Sequence, residues 1–281
     1  MSDLRELYHI GEAVLDTAED MFLAGLGAAP AHMKHRGDFA TEIDLSIERY
    51  LRSTLQQLTG IPVVGEEFGG DKGSPQWVVD PVDGTANFAA GNPMCAVLLS
   101  LIVDDEPVIG LTSVPVTRQR FGAFKGSPLF VNGVAQPPLK ERPAVAAHVG
   151  FSSVSSPANS GFSSMLRQGV LAGLTTTHLR PRITGSVGID LAFTAAGIFE
   201  GAVSFSPFLW DNAAGVALVR AAGGVVTDIN GDPWVPGSTG AVVGSERGHS
   251  TILELVKKYR FPVHLDKHVE PDDDEHDGAE D

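Results

Sequence analysis

Trp77-Val78-Val79-Asp80-Pro81-Val82-Asp83-Gly84-Thr85-Ala86-Asn87-Phe88-Ala89 decides how the rest of the chain is read. Trp77 to Val79 is an apolar run suited to a buried strand, and Pro81 and Gly84 are expected to stop it and force a turn. Two carboxylates, Asp80 and Asp83, then stand three positions apart at the strand end, followed at once by Gly84 and Thr85. N–H groups that open a short helical turn there can receive an anion. The stretch therefore predicts a place that holds a hard cation and a phosphate side by side.

Outward from it, a second acidic pair, Glu66-Glu67, follows Gly65 at the end of the apolar run Ile61 to Val64. Far downstream, Trp210-Asp211 opens a helix with another carboxylate. Glu66, Asp80, Asp83 and Asp211 form an all-oxygen donor set with no histidine or thiol nearby in sequence. Such a set suits Mg²⁺, whereas zinc takes nitrogen or sulfur. Two cations sharing a carboxylate can clamp attacking and leaving oxygens and lower the pKa of a bound water. Gly185-Ser186, at the start of the helix that carries Asp190, is a further helix start able to meet an anion.

Taken singly, each piece has an ordinary structural reading. Asp-Pro-x-Asp-Gly is a good turn, Glu66-Glu67 a solvated loop, and Asp211 a helix N-cap. Gly223-Gly224 ends a helix before a strand. Asp44 reads as a helix-face acid paired with Arg49, and Cys95 as core packing. What points to a magnesium-dependent phosphatase is all of them in this order. A phosphatase that forms an aspartyl-phosphate would need a D-x-D-x-T pattern. Here the spacing is D-x-x-D-G-T, which misplaces Asp83 for that chemistry.

Composition narrows the class. With 281 residues, 43% of them hydrophobic, the chain can bury a sizeable core. No apolar run approaches the roughly 20 residues of a membrane span. Asp3, Glu6, Glu12 and Asp16 are the wrong chemistry for a secretory signal, and the lone Cys95 leaves no internal disulfide. The expected location is the cytoplasm. The formal charge is −15, and residues 268–281 hold eight carboxylates without a Lys or Arg. That tail is expected to be disordered and solubilising, and the absence of a basic patch argues against nucleic acid as a partner.

Apolar spacing predicts amphipathic helices over 3–24 and 42–58, joined by a polar loop from Lys34 to Ala40. Strand-like runs follow at 96–103, 108–114 and 120–124, and Asn132-Gly133 marks a hairpin. The proline cluster Gln136 to Pro143 is the expected boundary between two halves, 1–138 and 139–267. Beyond it strands are expected at 144–150, 201–205 and 225–228. Helices are expected at 158–168, 186–196 and 212–222, and Ser250 to Lys258 closes the fold.

Gly65-Glu66-Glu67, Asp80-Pro81-Val82-Asp83-Gly84-Thr85-Ala86-Asn87-Phe88 and Trp210-Asp211-Asn212-Ala213-Ala214-Gly215 with Ala222-Gly223-Gly224 together resemble the inositol monophosphatase family. The likeness runs from the first helix to about Gly244. It implies a mixed α/β fold, a layered α-β-α-β-α sandwich of the inositol monophosphatase and fructose-1,6-bisphosphatase type. It also implies hydrolysis of a small phosphorylated metabolite by Mg²⁺-activated water with two or three ions, sensitivity to lithium, and a homodimer.

Carried over by position, Glu66, Asp80 and the Val82 carbonyl would hold one metal, and Asp80, Asp83 and Asp211 a second, with a third near Glu66. Asp38-Phe39-Ala40-Thr41-Glu42-Ile43-Asp44 looks like the family's D-x-x-T-x-x-D segment, so Asp44 with Thr85 would orient the attacking water. The Gly84 and Thr85 amides would bind phosphate, helped by Lys34, while Gly185, Ser186 and Val187 would lie beside the alcohol. Inositol-specific members place a glutamate seven residues before the Trp-Asp aspartate. Here Ser204 stands there, with Glu200 as a substitute if the loop slips. Histidinol phosphate, fructose 1,6-bisphosphate and adenosine 3′,5′-bisphosphate are then alternative substrates. A protein-binding regulator on the same fold is the non-enzymatic alternative.

Overall fold

The computed structural model describes residues 3–35, 38–70, 73–141, 143–154 and 161–260. The predicted acidic tail and the first residues of the helix expected at 158–168 lie outside them.

The first half begins with two helices, α1 (Leu4–Gly25) and α2 (Glu42–Thr59), as their apolar spacing requires. Between them the expected polar loop is a hairpin, β1 (His32–His35) against β2 (Asp38–Ala40). Seven strands then build one sheet: β3 (Val63–Gly65), β4 (Gln76–Asp83), β5 (Ala96–Val103), β6 (Glu106–Val114), β7 (Gln119–Phe124), β8 (Phe130–Val131) and β9 (Val134–Ala135), in sequence order. All neighbours are antiparallel except β3 and β4. The Asn132-Gly133 turn has φ of 48° and 75°, which is why the hairpin was legible.

Pro81 does not stop β4. The strand runs on to Asp83, and the ladder with β5 slips between Asp80 and Asp83, where a residue without an N–H costs no bond. The turn comes at Gly84, whose φ of 83° leads into the short helix α3 (Thr85–Ala89).

After Gln136–Pro143 the second sheet begins: β10 (His148–Phe151), β11 (Arg180–Arg182), β12 (Gly201–Ser204), β13 (Val225–Thr227) and β14 (Ala241–Gly244). Their order is β11-β10-β12-β14-β13. β10 starts later than expected, because Ala144–Ala146 is a 3-10 turn. β11 and β14 were not foreseen: one is a short Arg-Pro-Arg edge, the other an apolar run hidden between glycine-rich turns. The helices are α4 (Ser164–Leu174), α5 (Val187–Ala195), α6 (Leu209–Ala221) and α7 (Glu246–Arg260).

Five layers result. α1 and α2 cover one face of the first sheet, α5 and α6 fill the space between the sheets, and α4 and α7 close the far face of the second. Burial explains the patterning, since β5 is covered on both faces and is apolar almost throughout, as Ala-Val-Leu-Leu-Ser-Leu-Ile-Val. α5 and α6, sandwiched on two sides, bury nearly every residue from 187 to 195 and from 212 to 219. The central layer belongs to the second half and packs on the first sheet, so the ends of β4, α5 and α6 meet.

Candidate active site

Asp80 and Asp83 lie buried at the end of β4. Asp80 accepts the Val82 N–H at 3.0 Å and is hydrogen-bonded to the carboxyl of Glu66. Burial first, then the charges of Glu66, Asp83 and Asp211, push its pKa well above the usual carboxylate range. The four predicted acids therefore converge on one strand end. Asp211 arrives on the first turn of α6, but not as its cap, which is Phe208.

Asp83 is held from the second half. It accepts the Ser186 hydroxyl, the Gly188 N–H at 2.7 Å and the Val187 N–H at 3.3 Å. Burial outweighs these three donors and raises its pKa to about 6. The anion at the start of α5 is thus the protein's own carboxylate, so Ser186 and Val187 reach the site through Asp83. Gly84 and Gly185 bring the two turns together: a Cβ on Gly84 would stand 3.2 Å from the Gly185 carbonyl oxygen. Both have positive φ. Asn87 fastens this junction, its amide donating to Met94 O at 2.6 Å and to Thr184 O at 2.8 Å.

Thr85 donates to the Val82 carbonyl at 3.0 Å, and Asp44 Oδ1 lies 3.5 Å from the same hydroxyl. Asp44 is buried at the start of α2, where its other oxygen accepts the Thr41 N–H at 3.0 Å and the Thr41 hydroxyl. This is a capping box. Arg49, the alternative partner for Asp44, has its guanidinium 5.1 Å from the Phe68 ring centre instead. The Lys34 side chain lies outside what the structure describes.

Ser204 ends β12 fully buried, and its hydroxyl accepts the Ser206 N–H at 3.2 Å. Glu200 does not replace it, because its buried carboxylate accepts the Ser245 hydroxyl at 2.8 Å and Arg247 Nη2 at 2.9 Å at the start of α7. Ahead of Asp211 stand Phe208 and Trp210, stacked at 4.9 Å and 7°, with Phe208 half exposed.

The chain matches the inositol monophosphatase family over residues 3–260. It belongs to that family. The probable inositol 1-monophosphatase ImpA of Mycobacterium tuberculosis is 49% identical over 246 residues, covering 87% of this chain and 91% of that protein. The histidinol-phosphatase of the same organism is 32% identical, covering 78% and 86%. The structure of the Thermotoga maritima IMPase superposes with a TM-score of 0.79 at 24% identity, covering 91% and 98%, and shares the layered fold. This member of the inositol monophosphatase family is a phosphoric monoester hydrolase acting on a small phosphorylated substrate. Among the described residues no helix is long and apolar enough to cross a membrane.

For a family member the donor chemistry fits a hard divalent cation, since the all-oxygen groups Glu66, Asp83 and Asp211 lie close enough to the buried Asp80 to disfavour its charge. Among the described residues no three His, Cys, Asp or Glu side chains are arranged to hold a metal as they stand, so ligation requires side-chain adjustment. Two contributors escaped the sequence reading, Glu48 and Arg52. Their signal was available: with Asp44 they recur every four residues on one face of a helix.

Proposed function

We propose that the chain hydrolyses a cyclic-polyol phosphate of the inositol 1-phosphate kind, using Mg²⁺ held by Glu66, Asp80, Asp83, Asp211 and the Val82 carbonyl. The observation that carries the chemistry is the crowding of carboxylates on Asp80 beside the Thr85–Asp44 pair. Magnesium bound there supplies charge for the phosphate and lowers the pKa of a coordinated water. A shift of the Thr85 hydroxyl bond from the Val82 carbonyl to Asp44 would leave the Thr85 oxygen to accept from the attacking water and fix its line of approach. The helix-start N–H groups at Gly84 and Thr85 take phosphate oxygens. Asp83, oriented by Ser186 and Gly188, keeps its carboxylate beside the Gly84 turn. The 49% identity to ImpA supports the substrate.

A second reading, an ester whose alcohol bears a planar ring such as histidinol phosphate, is favoured by the burial of Ser204 and the Phe208–Trp210 stack. Homodimerisation, lithium inhibition and a cytoplasmic location belong to the same proposal. Phosphate release with Mg²⁺ from inositol 1-phosphate, histidinol phosphate, fructose 1,6-bisphosphate and adenosine 3′,5′-bisphosphate tests it. Preference for inositol 1-phosphate, abolished by chelation, is the expected result. Preference for histidinol phosphate selects the second reading, and turnover that persists under chelation rejects the metal chemistry. No turnover of any ester, with Mg²⁺ bound, returns the regulator alternative.

A further inference from the structure

Glu66 sits on a short loop that has no regular structure of its own, yet the loop is tied at its middle and at both ends by one pair, a buried Glu48 and a half-buried Arg52. Glu48, fully buried on α2, accepts the Glu67 N–H at 2.7 Å and the Phe68 N–H at 3.1 Å, one on each oxygen. Arg52, one turn further along, donates to Glu48 at 3.0 Å, to the Val63 carbonyl at 2.6 Å and to the Gly69 carbonyl at 2.6 Å. Four of these bonds bracket Glu66, and the fifth joins Arg52 to Glu48. The fit is close: a Cβ on Gly65 would stand 2.2 Å from the Glu48 carboxylate and displace it from the loop amides.

The arrangement is costly as mere packing. The buried Glu48 carboxylate loses its hydration and the half-buried Arg52 guanidinium loses part of its own, which hydrogen bonds have to replace. The backbone of the 63–69 segment supplies four of these bonds, while Arg52 Nε has no partner among the described residues. Exposed Lys or Glu side chains could have held a surface loop without burying charge. Arg52 also neutralises Glu48, so the pair adds no net negative charge behind the site.

We propose that Glu48 and Arg52 are positioning residues that fix Glu66 against Asp80 and thereby set the affinity of the site for Mg²⁺. This rests on the metal reading of the proposed function. The pair touches neither substrate nor metal and acts through the backbone on each side of Glu66. Partners of metal ligands commonly change metal affinity 10- to 100-fold when removed.

The test is calorimetric Mg²⁺ titration of the metal-free full chain, with the Mg²⁺ dependence of turnover and metal-free melting measured alongside. Glu48→Gln places an amide where two backbone N–H groups need acceptors. It is expected to weaken Mg²⁺ binding about tenfold, while kcat at saturating Mg²⁺ falls less than about threefold. Arg52→Lys keeps the charge, cannot span both carbonyls, and is expected to weaken binding about threefold. It also serves if the first variant does not fold. A lower melting temperature with unchanged Mg²⁺ affinity in either folded variant overturns the proposal and leaves the pair as packing. Failure of the unsubstituted chain to bind Mg²⁺ overturns the metal reading itself, and this inference with it.

Discussion

On the α2 side of the site, carboxylates are satisfied before any ligand arrives: Asp44 by the cap of its own helix, Glu48 by two loop amides and Arg52. On the α5–α6 side, donors converge on Asp83, while Ser204 turns inward and an aromatic stack stands ahead of Asp211. The first side is a rigid mount for charge. The second carries one structural anchor and Asp211, and the groups beside them are small or apolar. Under the proposed function, the phosphatase chemistry is mounted mainly on the first half with Asp211 added from α6, and the choice among esters is assigned to the second.

The comparison breaks first at Asp83, the residue both sides share. Asp83→Asn is expected to lower kcat about 1,000-fold, the scale of losing a preorganised electrostatic contact, with circular dichroism unchanged because the amide keeps one acceptor oxygen. Asp44→Asn should lower kcat about 100-fold while Mg²⁺ affinity moves less than about threefold, since it acts on the water through Thr85. A parallel loss of metal affinity, seen by calorimetry, would place Asp44 on the metal. Ser204→Glu sharpens the other side. It buries an unpaired carboxylate and should cost several kcal/mol, read as a lower Tm, without improving KM for inositol 1-phosphate.

A smaller effect concerns pH. Asp83 has a folded pKa of about 6 against an ordinary 3.8, so the folded metal-free chain binds a proton that the unfolded chain has already released. That contribution is fully present below about pH 4 and is lost as pH rises through about 6. The metal-free Tm should therefore decline over this window, and less steeply in Asp83→Asn. Smallest of all, Cys95 is buried with its thiol pushed up to about 12. Native protein at pH 8 should take up no iodoacetamide, measured by mass spectrometry.

Much of this was legible in the chain. Apolar spacing placed α1 and α2 to within a residue or two, and Asn132-Gly133 announced its hairpin. The acids Glu66, Asp80, Asp83 and Asp211 were read from motif spacing and do converge. The misses share a cause, for local rules took Pro81 as a stop and Lys34 to Ala40 as a loop. The sheet tolerates the first through a slip in register, and pairing turns the second into a hairpin.

What the sequence by itself determined was the supply of groups: an all-oxygen donor set, glycines where backbones must turn, and two long runs patterned for layers. Those are local properties, fixed by side-chain chemistry and periodicity. Only the tertiary structure decided their use. Asp83 accepts the first N–H groups of α5 across more than a hundred residues, Glu48 reaches back over the loop that carries Glu66, and Ser204 is buried with its hydroxyl on the Ser206 N–H. Each depends on which buried donors lie within hydrogen-bond reach, and that distance exists only once the layers have packed.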